Sequence, residues 1–270
     1  MKVTIPPIIF LRSVDSTNNY AMAQVHEGLA THGMAWFANE QFAGKGQRNK
    51  QWTASPGENI TMSIALQPAF LEPSNQFQLS VTVALAVHDF FSKYAGDETK
   101  IKWPNDIYWR DRKAGGILIE NVIGTGGTQL TVDRIPSTPT NYQPQTINYK
   151  WAIVGTGINI NQTSFPESLP NPVSLKQITG KDWEALVLAE ELHQNILTRF
   201  EQLRNEGFDS LFPLYHSQLY QLSQSQKFKK ENRIFEATVK RVTPSGQLVL
   251  QRATEEFFNF GDIEWIITKK

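Results

Sequence analysis

Three charged side chains in one stretch near the middle of the chain could together bind and activate an anionic group. Lys102, Asp106 and Lys113 are spread along this stretch, and a hairpin there would bring them close in space. Gly115 and Gly116 follow and lack a Cβ atom, so a flat ligand or another backbone could lie against the strand that carries them. Two ammonium groups, one carboxylate and a bare stretch of strand suit a negatively charged, planar molecule.

The local chemistry of this stretch predicts a turn followed by a β-hairpin. Pro104 before Asn105 is typical of a turn, and the charged residues around Arg110 and Asp111 separate two apolar runs, as the tip of a hairpin would. The alternative interpretation is a solvated hairpin with ordinary charges at its tip. That interpretation suits Arg110 and Asp111, but it accounts poorly for the sequence WPND.

A second candidate element is a loop rich in glycine and basic residues. Gly44 and Gly46 stand among Lys45, Arg48 and Lys50, and such a loop can wrap phosphates with its exposed amides and its cations. It does not match the P-loop, because no Gly-Lys-Ser/Thr sequence closes it. Taken alone, the pattern is also typical of loops that are only flexible and soluble.

Polar residues near the N-terminus predict the start of a helix. Ser16 or Thr17 can cap a helix that passes through Met22 and ends at Gly28, because their side-chain oxygens accept hydrogen bonds from the free amides of the first turn. A cap without any role in ligand binding is an equally good interpretation of this segment.

Residues 151–161 predict a buried strand that is broken by Gly155 and Gly157. Glycines in a strand permit close approach of a ligand, and Asn159 offers a donor and an acceptor beside them. The alternative for this segment is a core strand with a bulge.

The remaining periodicity predicts a mixture of strands and helices. Alternation over 60–66 predicts a strand with one face on the core, and helical spacing over 77–94 predicts a helix in which His88 packs rather than binds a metal. Further predicted elements are a strand at 34–38, a long amphipathic helix from 182 to 203, a shorter helix at 208–219 and a polar linker at 221–226. The segment 124–150 is poor in apolar residues and is predicted to be a long, mobile hairpin or loop.

The C-terminal part of the chain predicts a small β-barrel of SH3 type. Short apolar runs at 234–242, 247–250 and 262–267 follow each other at close intervals, and the first two are separated by a turn that ends at Gly246. The chain therefore divides into a large domain at 1–222 and a small domain at 223–270.

Composition limits the classes of partner. The 26 basic and 26 acidic residues balance, so the chain gives no general reason to bind DNA or an anionic membrane. The absence of cysteine excludes disulfides and thiolate chemistry and favours a reducing compartment. The N-terminal apolar run is too short for a signal peptide or a membrane span. We therefore expect a soluble, cytoplasmic protein.

Four segments, in this order, closely resemble the motifs of the biotin protein ligases. They are DSTNNYA at 15–21, EQFAGKGQRNKQW at 40–52, KWPNDIYWRDRKAGGILIE at 102–120 and GTGININ at 155–161. The resemblance covers nearly the whole chain from about Ile8 onward and is most specific in the second and third motifs. It implies an α+β fold, with a catalytic domain related to class II aminoacyl-tRNA synthetases, in which helices flank a mixed sheet, and a C-terminal SH3-like β-barrel.

The resemblance also implies an activity. Members of that family join biotin to ATP, with Mg²⁺ on the leaving pyrophosphate, and form biotinyl-5′-adenylate. They then transfer the biotinyl group to one lysine of a biotin carboxyl carrier domain, typically that of acetyl-CoA carboxylase. The metal ligands cannot be identified from the sequence.

Matching motif to motif assigns roles to individual residues. Lys113 takes the position of the family's catalytic lysine, Arg48 belongs to the loop that closes over the ligands, and Asp106 is a candidate to orient the carrier lysine or accept its proton. The residues expected to contact biotin or the nucleotide are Ser16, Thr17, Asn18, Gln41, Gly44, Lys45, Gly46, Gln47, Arg48, Lys50, Trp52, Lys102, Asn105, Lys113, Gly115, Gly116 and Asn159.

Two departures from the family pattern bear on function. Many members carry Gly-Arg-Gly-Arg in the loop, whereas this chain has Gln47 at the last of these positions, so either Arg48 or Lys50 must supply the missing cation. Some members also carry an N-terminal helix-turn-helix. The first motif here starts close to Met1, so we expect no DNA binding.

Three alternatives to a biotin ligase remain at this stage. A lipoate ligase would share the fold and the adenylation chemistry, a catalytically inactive biotin sensor would share the pocket, and a DNA-binding regulator fits the neutral charge least well. The sequence leaves open whether two copies pair through a sheet edge, as ligases of this kind often do.

Overall fold

The computed structural model describes residues 6–125 and 147–267. The strands are β1 (Ile8–Leu11), β2 (Ala35–Ala38), β3 (Asn59–Leu66), β4 (Thr99–Lys102), β5 (Asp106–Trp109), β6 (Arg112–Thr125), β7 (Ile147–Asn159), β8 (Ser225–Lys230), β9 (Arg233–Val242), β10 (Leu248–Gln251), β11 (Glu255–Phe258) and β12 (Glu264–Trp265). The helices are α1 (Thr17–His26), α2 (Gln76–Ala95), α3 (Leu175–Thr179), α4 (Ala185–Glu206) and α5 (Phe212–Ser217), with short 3-10 turns at Gln47–Asn49, Pro73–Asn75 and Phe208–Ser210.

Seven of the described strands form a mixed sheet in the order β1-β2-β3-β7-β6-β5-β4. The β1–β2 ladder is parallel and its neighbours are antiparallel. One face packs on α2 and α4, and the other packs on α1 through a second apolar cluster that includes Trp36 and Ile153. All eight residues of β3 are therefore buried. The prediction of a single buried face was wrong, because α1 covers the side that carries Ser63.

The two long helices form as their apolar spacing predicts. Leu79, Val83 and Phe90 of α2 recur at helical intervals and are buried against α4 and the sheet. His88 is a packing residue, as predicted, with Nε2 3.2 Å from the carbonyl oxygen of Thr99. Among the described residues, no helix is long and apolar enough to cross a membrane.

The strands that follow the central hairpin differ from the prediction. Strand β7 starts at Ile147, not at residue 151, and its register with β3 is regular past both predicted breaks at Gly155 and Gly157. The register shift lies instead in the β6–β7 ladder, between Val122 and Ile123. Most of the segment 124–150, predicted to be mobile, lies outside the described residues, and its described ends pair as strands.

The C-terminal residues form the predicted small β domain, an antiparallel sheet in the order β11-β10-β9-β8-β12. The predicted linker is shorter than expected, because Leu222 and Ser223 already pair with Val239. The two sheets are in direct contact, since the Trp103 indole Nε1 donates to the carbonyl oxygen of Gly246 at 3.0 Å. The C-terminal sheet therefore lies next to the central hairpin.

Burial predicts which leucines of α4 stabilise the fold. Leu192 is fully buried between α4 and the sheet, whereas Leu186 on the same helix is 38% exposed. Leu192→Ala should lower the free energy of unfolding by about 2–5 kcal/mol, because it leaves a cavity in the core. Leu186→Ala should change it by less than about 0.5 kcal/mol. Urea unfolding of both variants checks this, and equal losses would contradict the packing.

Candidate active site

A cavity of about 630 Å³ lies where the N-terminus of α1, the loop after β2, the central hairpin, β7 and the C-terminal sheet meet. All the predicted contact residues line it except Gly44 and Gly115. A second cavity, of about 480 Å³, lies beside Tyr220 and contains none of the predicted side chains. The larger cavity is therefore the candidate active site.

The end of the cavity at α1 is lined by buried polar side chains. Ser16, Thr17 and Asn18 are all buried. The backbone N–H and the hydroxyl of Thr17 both donate to Gln41 Oε1, at 2.7 and 3.0 Å. Ser63 Oγ lies 2.7 Å from Thr17 Oγ1 and 2.6 Å from Asn18 Oδ1. These contacts fix the orientation of groups that can bind a small polar heterocycle.

The helix start differs in detail from the prediction. Ser16 occupies the N-cap position, but its side chain makes no capping hydrogen bond. Gln41, from the loop after β2, accepts from the first helical amide instead. The side chain of Ser16, which lines the cavity, is therefore not used to cap α1.

Glu120 joins this polar end to the basic loop. Its Oε2 accepts from Asn18 Nδ2 at 2.8 Å, and its Oε1 lies 3.4 Å from Lys45 Nζ. Ser63 and Glu120 were not predicted as site residues. Ser63 lies on the strand face that was expected to be exposed. Glu120 ends the motif at 102–120, and nothing in the sequence around it indicated that its carboxylate would contact α1.

Glycines on two neighbouring strands leave room for these side chains. A Cβ at Gly155 would collide with the Asn18 amide, and one at Gly157 would collide with the Trp52 indole. A Cβ at Gly116 would lie 3.4 Å from both Asp106 Oδ1 and Lys113 Nζ. Gly115 is different, because it faces the backbone of Gly157 and the side chain of Ile158, so it packs β6 against β7 and does not line the cavity.

Gly44 also lies outside the cavity lining. A Cβ there would collide with the backbone oxygen of Trp52, and the Gly44 carbonyl accepts from the Trp52 amide at 2.9 Å. Gly44 thus closes the base of the loop.

The hairpin brings the predicted charges together. Lys102 and Asp106 are register partners on β4 and β5, and Lys113 Nζ donates to Asp106 Oδ1 at 2.6 Å. The backbone of Lys113 is held from the other side, because its N–H donates to the carbonyl oxygen of Asn171 at 2.7 Å. Lys113 and Asp106 therefore form a positioned ion pair on the cavity wall.

Lys102 is a cation with a different environment. Its Nζ lies 5.3 Å from the centre of the Tyr108 ring and 5.4 Å from the centre of the Trp265 ring. Burial lowers the pKa of Lys102 to about 8, Asp106 opposes this fall, and the positive charges of Lys113 and Lys50 add to it. Lys102 is thus a desolvated cation in the cavity wall that an anion can neutralise.

The loop cations contact other parts of the protein than Asp106. Arg48 adopts a left-handed backbone conformation with φ 55°, and its Nη1 lies 3.4 Å from the carbonyl oxygen of Gly261 in the C-terminal domain. Gln47 Nε2 lies 3.5 Å from the carbonyl oxygen of Ile117. Lys50 is exposed at the rim of the cavity. In this conformation Arg48 contacts the C-terminal part of the chain, and its predicted contact with a bound ligand stays a prediction.

The two predicted asparagines tie backbones together. Asn105 donates to the carbonyl oxygen of Ile117, and Asn159 Nδ2 lies 3.1 Å from the carbonyl oxygen of Val173. Their side-chain N–H groups are therefore engaged by the protein, although both residues line the cavity.

The described residues contain no cluster of three or more histidine, cysteine, aspartate or glutamate side chains that could hold a metal. Asp106 and Glu264 are carboxylates that line the cavity, and Asp106 is already paired with Lys113. A Mg²⁺ ion here would have to be carried mainly by the phosphates of a nucleotide, which is how proteins commonly bind it.

The arrangement divides the cavity by chemistry. Neutral hydrogen-bonding groups gather at the α1 end, and ammonium groups gather at the hairpin end. A ligand with a polar ring and a carboxylate fits the first end, while a carboxylate and a phosphate could meet between Lys102 and Lys113. Charge stabilisation of that meeting is the chemistry that the site can supply.

The pKa of Lys102 yields a stability prediction. A folded-state pKa of about 8 against an ordinary value of 10.5 means that the unfolded chain binds more protons between these values, so wild-type stability rises across that pH window. Lys102→Met removes the buried charge and should raise the melting temperature at pH 7, with a smaller difference at pH 10. Thermal melts across this range check it, with the exposed Lys181→Met as control. An equal difference at both pH values would contradict it.

Known proteins with similar sequences include protein ligases. The model of the biotin/lipoate A/B protein ligase family matches residues 10–132. The bifunctional ligase/repressor BirA of Bacillus spizizenii is 27% identical over 247 residues, which are 90% of this chain and 69% of that protein. BirA of Escherichia coli is 29% identical over 204 residues, 74% of this chain and 55% of that protein. This chain thus spans between half and about two thirds of these relatives.

A shorter match and a solved structure extend the comparison. A biotin–[acetyl-CoA-carboxylase] ligase of Paracoccus denitrificans is 37% identical over 122 residues, 44% of this chain and 49% of that protein. The fold is similar to that of biotin protein ligase from Aquifex aeolicus in complex with biotin and ATP, with a TM-score of 0.75, 23% identity and coverage of 98% of this chain and 100% of that one. The chain is thus similar in sequence to ligases of the biotin/lipoate A/B protein ligase family, and similar in fold to a biotin protein ligase.

Proposed function

We propose that this protein is a biotin protein ligase that forms biotinyl-5′-adenylate from biotin and MgATP and passes the biotinyl group to a lysine of a biotin carboxyl carrier domain. The observation that supports it most is the single cavity that joins a buried polar pocket at Ser16–Asn18 to the Lys113–Asp106 pair and Lys102. The carrier belongs to acetyl-CoA carboxylase in this proposal, as the name of the relative from Paracoccus denitrificans suggests.

Biotin binding is assigned to the α1 end of the cavity. The side chains of Asn18 and Thr17 are already held by hydrogen bonds to Glu120, Ser63 and Gln41. Little conformational entropy is therefore lost in ordering them when a ligand binds. The Trp52 indole Nε1 is buried without a hydrogen-bond partner among the described residues, and it lies over Gly157. A ligand that fills this end supplies the missing contacts.

The first reaction step brings two anions together. A carboxylate oxygen of biotin attacks the α-phosphorus of ATP, the new carboxyl oxygen–phosphorus bond forms, and the bond to the pyrophosphate oxygen breaks. Lys113 lies where its ammonium can neutralise both groups, and in doing so it must exchange part of its contact with Asp106 for the ligand oxygens. Lys102 adds a second positive charge on the nucleotide side.

The second step uses the carboxylate that this exchange exposes. The carrier lysine must lose a proton before its amine attacks the carbonyl carbon of the adenylate, and AMP then leaves. Asp106 Oδ1, released from Lys113, is placed to orient that amine or accept its proton. The loop at 44–50 protects the mixed anhydride from water by covering it.

The wider assignments belong to the same proposal. Residues 1–222 form the catalytic domain and 223–270 the smaller domain, the protein works in the cytoplasm, and it does not bind DNA. The predicted contact residues that line the cavity, Arg48 and Lys50 included, meet the ligands once the loop closes. Balanced charge supports the absence of DNA binding.

The function is tested by supplying acids separately. The purified protein should catalyse exchange of pyrophosphate into ATP with biotin but not with lipoate, and it should label a biotin carrier domain. Exchange with lipoate alone would identify a lipoate ligase, the rival that shares the chemistry. No exchange with either acid, together with tight biotin binding, would identify a sensor.

Lys113→Ala should reduce pyrophosphate exchange by about 10²–10³-fold, because the charge at the reacting phosphorus is lost. The fold should persist, since Lys113 is held through its backbone. Lys181→Ala, which removes an exposed lysine outside the cavity, is the control. Near-normal exchange in Lys113→Ala would remove this residue from the mechanism.

Asp106→Asn separates the two steps. The amide keeps a hydrogen-bond acceptor near Lys113 but is a poor proton acceptor, so transfer to the carrier should fall by about 10²-fold or more while exchange persists. Single-turnover transfer from preformed adenylate measures this. Equal loss in both steps would show that Asp106 serves only to hold Lys113.

A further inference from the structure

Two sheet edges meet at Lys102. Strand β4, which ends at Lys102, is the last strand of the seven-stranded sheet, and β12, which ends at Trp265, is the last strand of the C-terminal sheet. The Lys102 ammonium lies between the Tyr108 ring, at 5.3 Å, and the Trp265 ring, at 5.4 Å. One wall of this cation site is thus supplied by the C-terminal domain.

The charged groups around Lys102 leave this cation without a carboxylate contact. Asp106 faces it from β5 but is engaged with Lys113 at 2.6 Å. Lys113 and Lys50 repel it, and Arg48 and Glu264 line the same cavity. Within residues 6–125 and 147–267, the Lys102 ammonium makes no hydrogen bond or ion pair, so the two rings are its compensating partners.

The aromatic partners are themselves held in place. Tyr108 packs on Tyr220 with ring centres 5.2 Å apart, and Tyr220 packs on Trp265 at 5.6 Å. Phe228 from β8 packs on the other part of Trp265 at 4.8 Å. The Trp265 ring is therefore fixed by residues of both domains, and it can hold the ammonium in one position.

We propose that Trp265 is a positioning residue that, with Tyr108, holds the Lys102 ammonium in the cavity as the charge that binds the phosphates of the nucleotide. The C-terminal sheet thereby acts on the adenylation step through one aromatic ring. This inference rests on the proposed function, because it assigns the anionic partner of Lys102 as MgATP. Lys113 is paired with Asp106 before the ligand binds, so Lys102 is the cation that the incoming phosphates meet without a hydrogen-bonded carboxylate.

The ring affects both the position and the protonation of Lys102. An aromatic face favours the charged form of an amine, and its loss weakens binding of the cation by roughly 2- to 30-fold. Burial already lowers the pKa of Lys102 to about 8. Removing the ring while keeping the site apolar should lower that pKa further, so that nucleotide affinity is lost at a lower pH.

The experiment compares Trp265→Leu with Trp265→Phe in biotin-dependent pyrophosphate exchange. Trp265→Leu should raise the KM for ATP by roughly 2- to 30-fold at pH 8 and move the alkaline fall of kcat/KM for ATP to lower pH. The KM for biotin should change by less than about twofold, because biotin is assigned to the α1 end of the cavity and not to the end that contains Lys102. Trp265→Phe keeps a weaker aromatic face and should show a smaller shift in the same direction.

Two further variants separate positioning from structural damage. Phe257→Leu changes an exposed aromatic residue of the same small sheet that does not line the cavity, so it should leave both KM values unchanged. Lys102→Arg in the Trp265→Leu background carries a guanidinium that stays charged, so the alkaline fall should disappear. A structural defect would not be corrected in this way.

The outcomes distinguish the inference from the function on which it rests. No exchange in the wild-type protein would refute the proposed function. An active wild type with an unchanged KM for ATP and an unchanged alkaline limb in both Trp265 variants would overturn the role of Trp265. If Trp265→Leu does not fold, the test uses Trp265→Phe alone. An alkaline fall of kcat/KM for ATP at the same pH as in the wild type would then overturn the inference.

Discussion

Keeping positive charge inside a partly dry cavity is the constraint on which the rest of this structure depends. A carboxylate and a phosphate repel each other unless cations are already placed around them. Removing such a cation from water has a desolvation free energy that the protein must offset. The chain solves this in two ways. Lys113 is paired with Asp106 at 2.6 Å, and Lys102 rests between two aromatic rings and has its pKa lowered to about 8. Lys113 is therefore neutralised by a carboxylate, whereas the charge of Lys102 is not paired with a carboxylate.

Glycines in the large sheet make room for the side chains that line the cavity. Glycines at 116, 155 and 157 leave spaces that Lys113, Asn18 and Trp52 occupy, so side chains from three separate segments come together over the same two strands. The polar residues at the α1 end are linked through Ser63, Gln41 and Glu120, and Glu120 also contacts Lys45 of the loop. The basic loop is therefore connected to the polar end of the cavity.

The C-terminal sheet has a direct role in this cavity. It carries Trp265 and the Gly261 carbonyl that Arg48 contacts, and it is fixed to the central hairpin through the Trp103 indole and Gly246. Contacts of this kind explain why the position of Arg48 could not be predicted. Its guanidinium is long, the residue has a left-handed backbone with φ 55°, and its partner is more than two hundred residues away in sequence.

The sequence by itself determined the local elements and the identity of the motifs. The hairpin with Lys102, Asp106 and Lys113, the helices α2 and α4 and the small β domain follow from turn residues and apolar periodicity, which act over a few residues. Only the tertiary structure decided that both faces of β3 are buried and that Gly115 packs on β7 while Gly116 faces the site. It also decided that Trp265 lines the cavity, and that Ser63 and Glu120 hold lining side chains of α1. Each of these depends on which segment lies opposite, and a contact between segments far apart in sequence leaves no periodic pattern in either one.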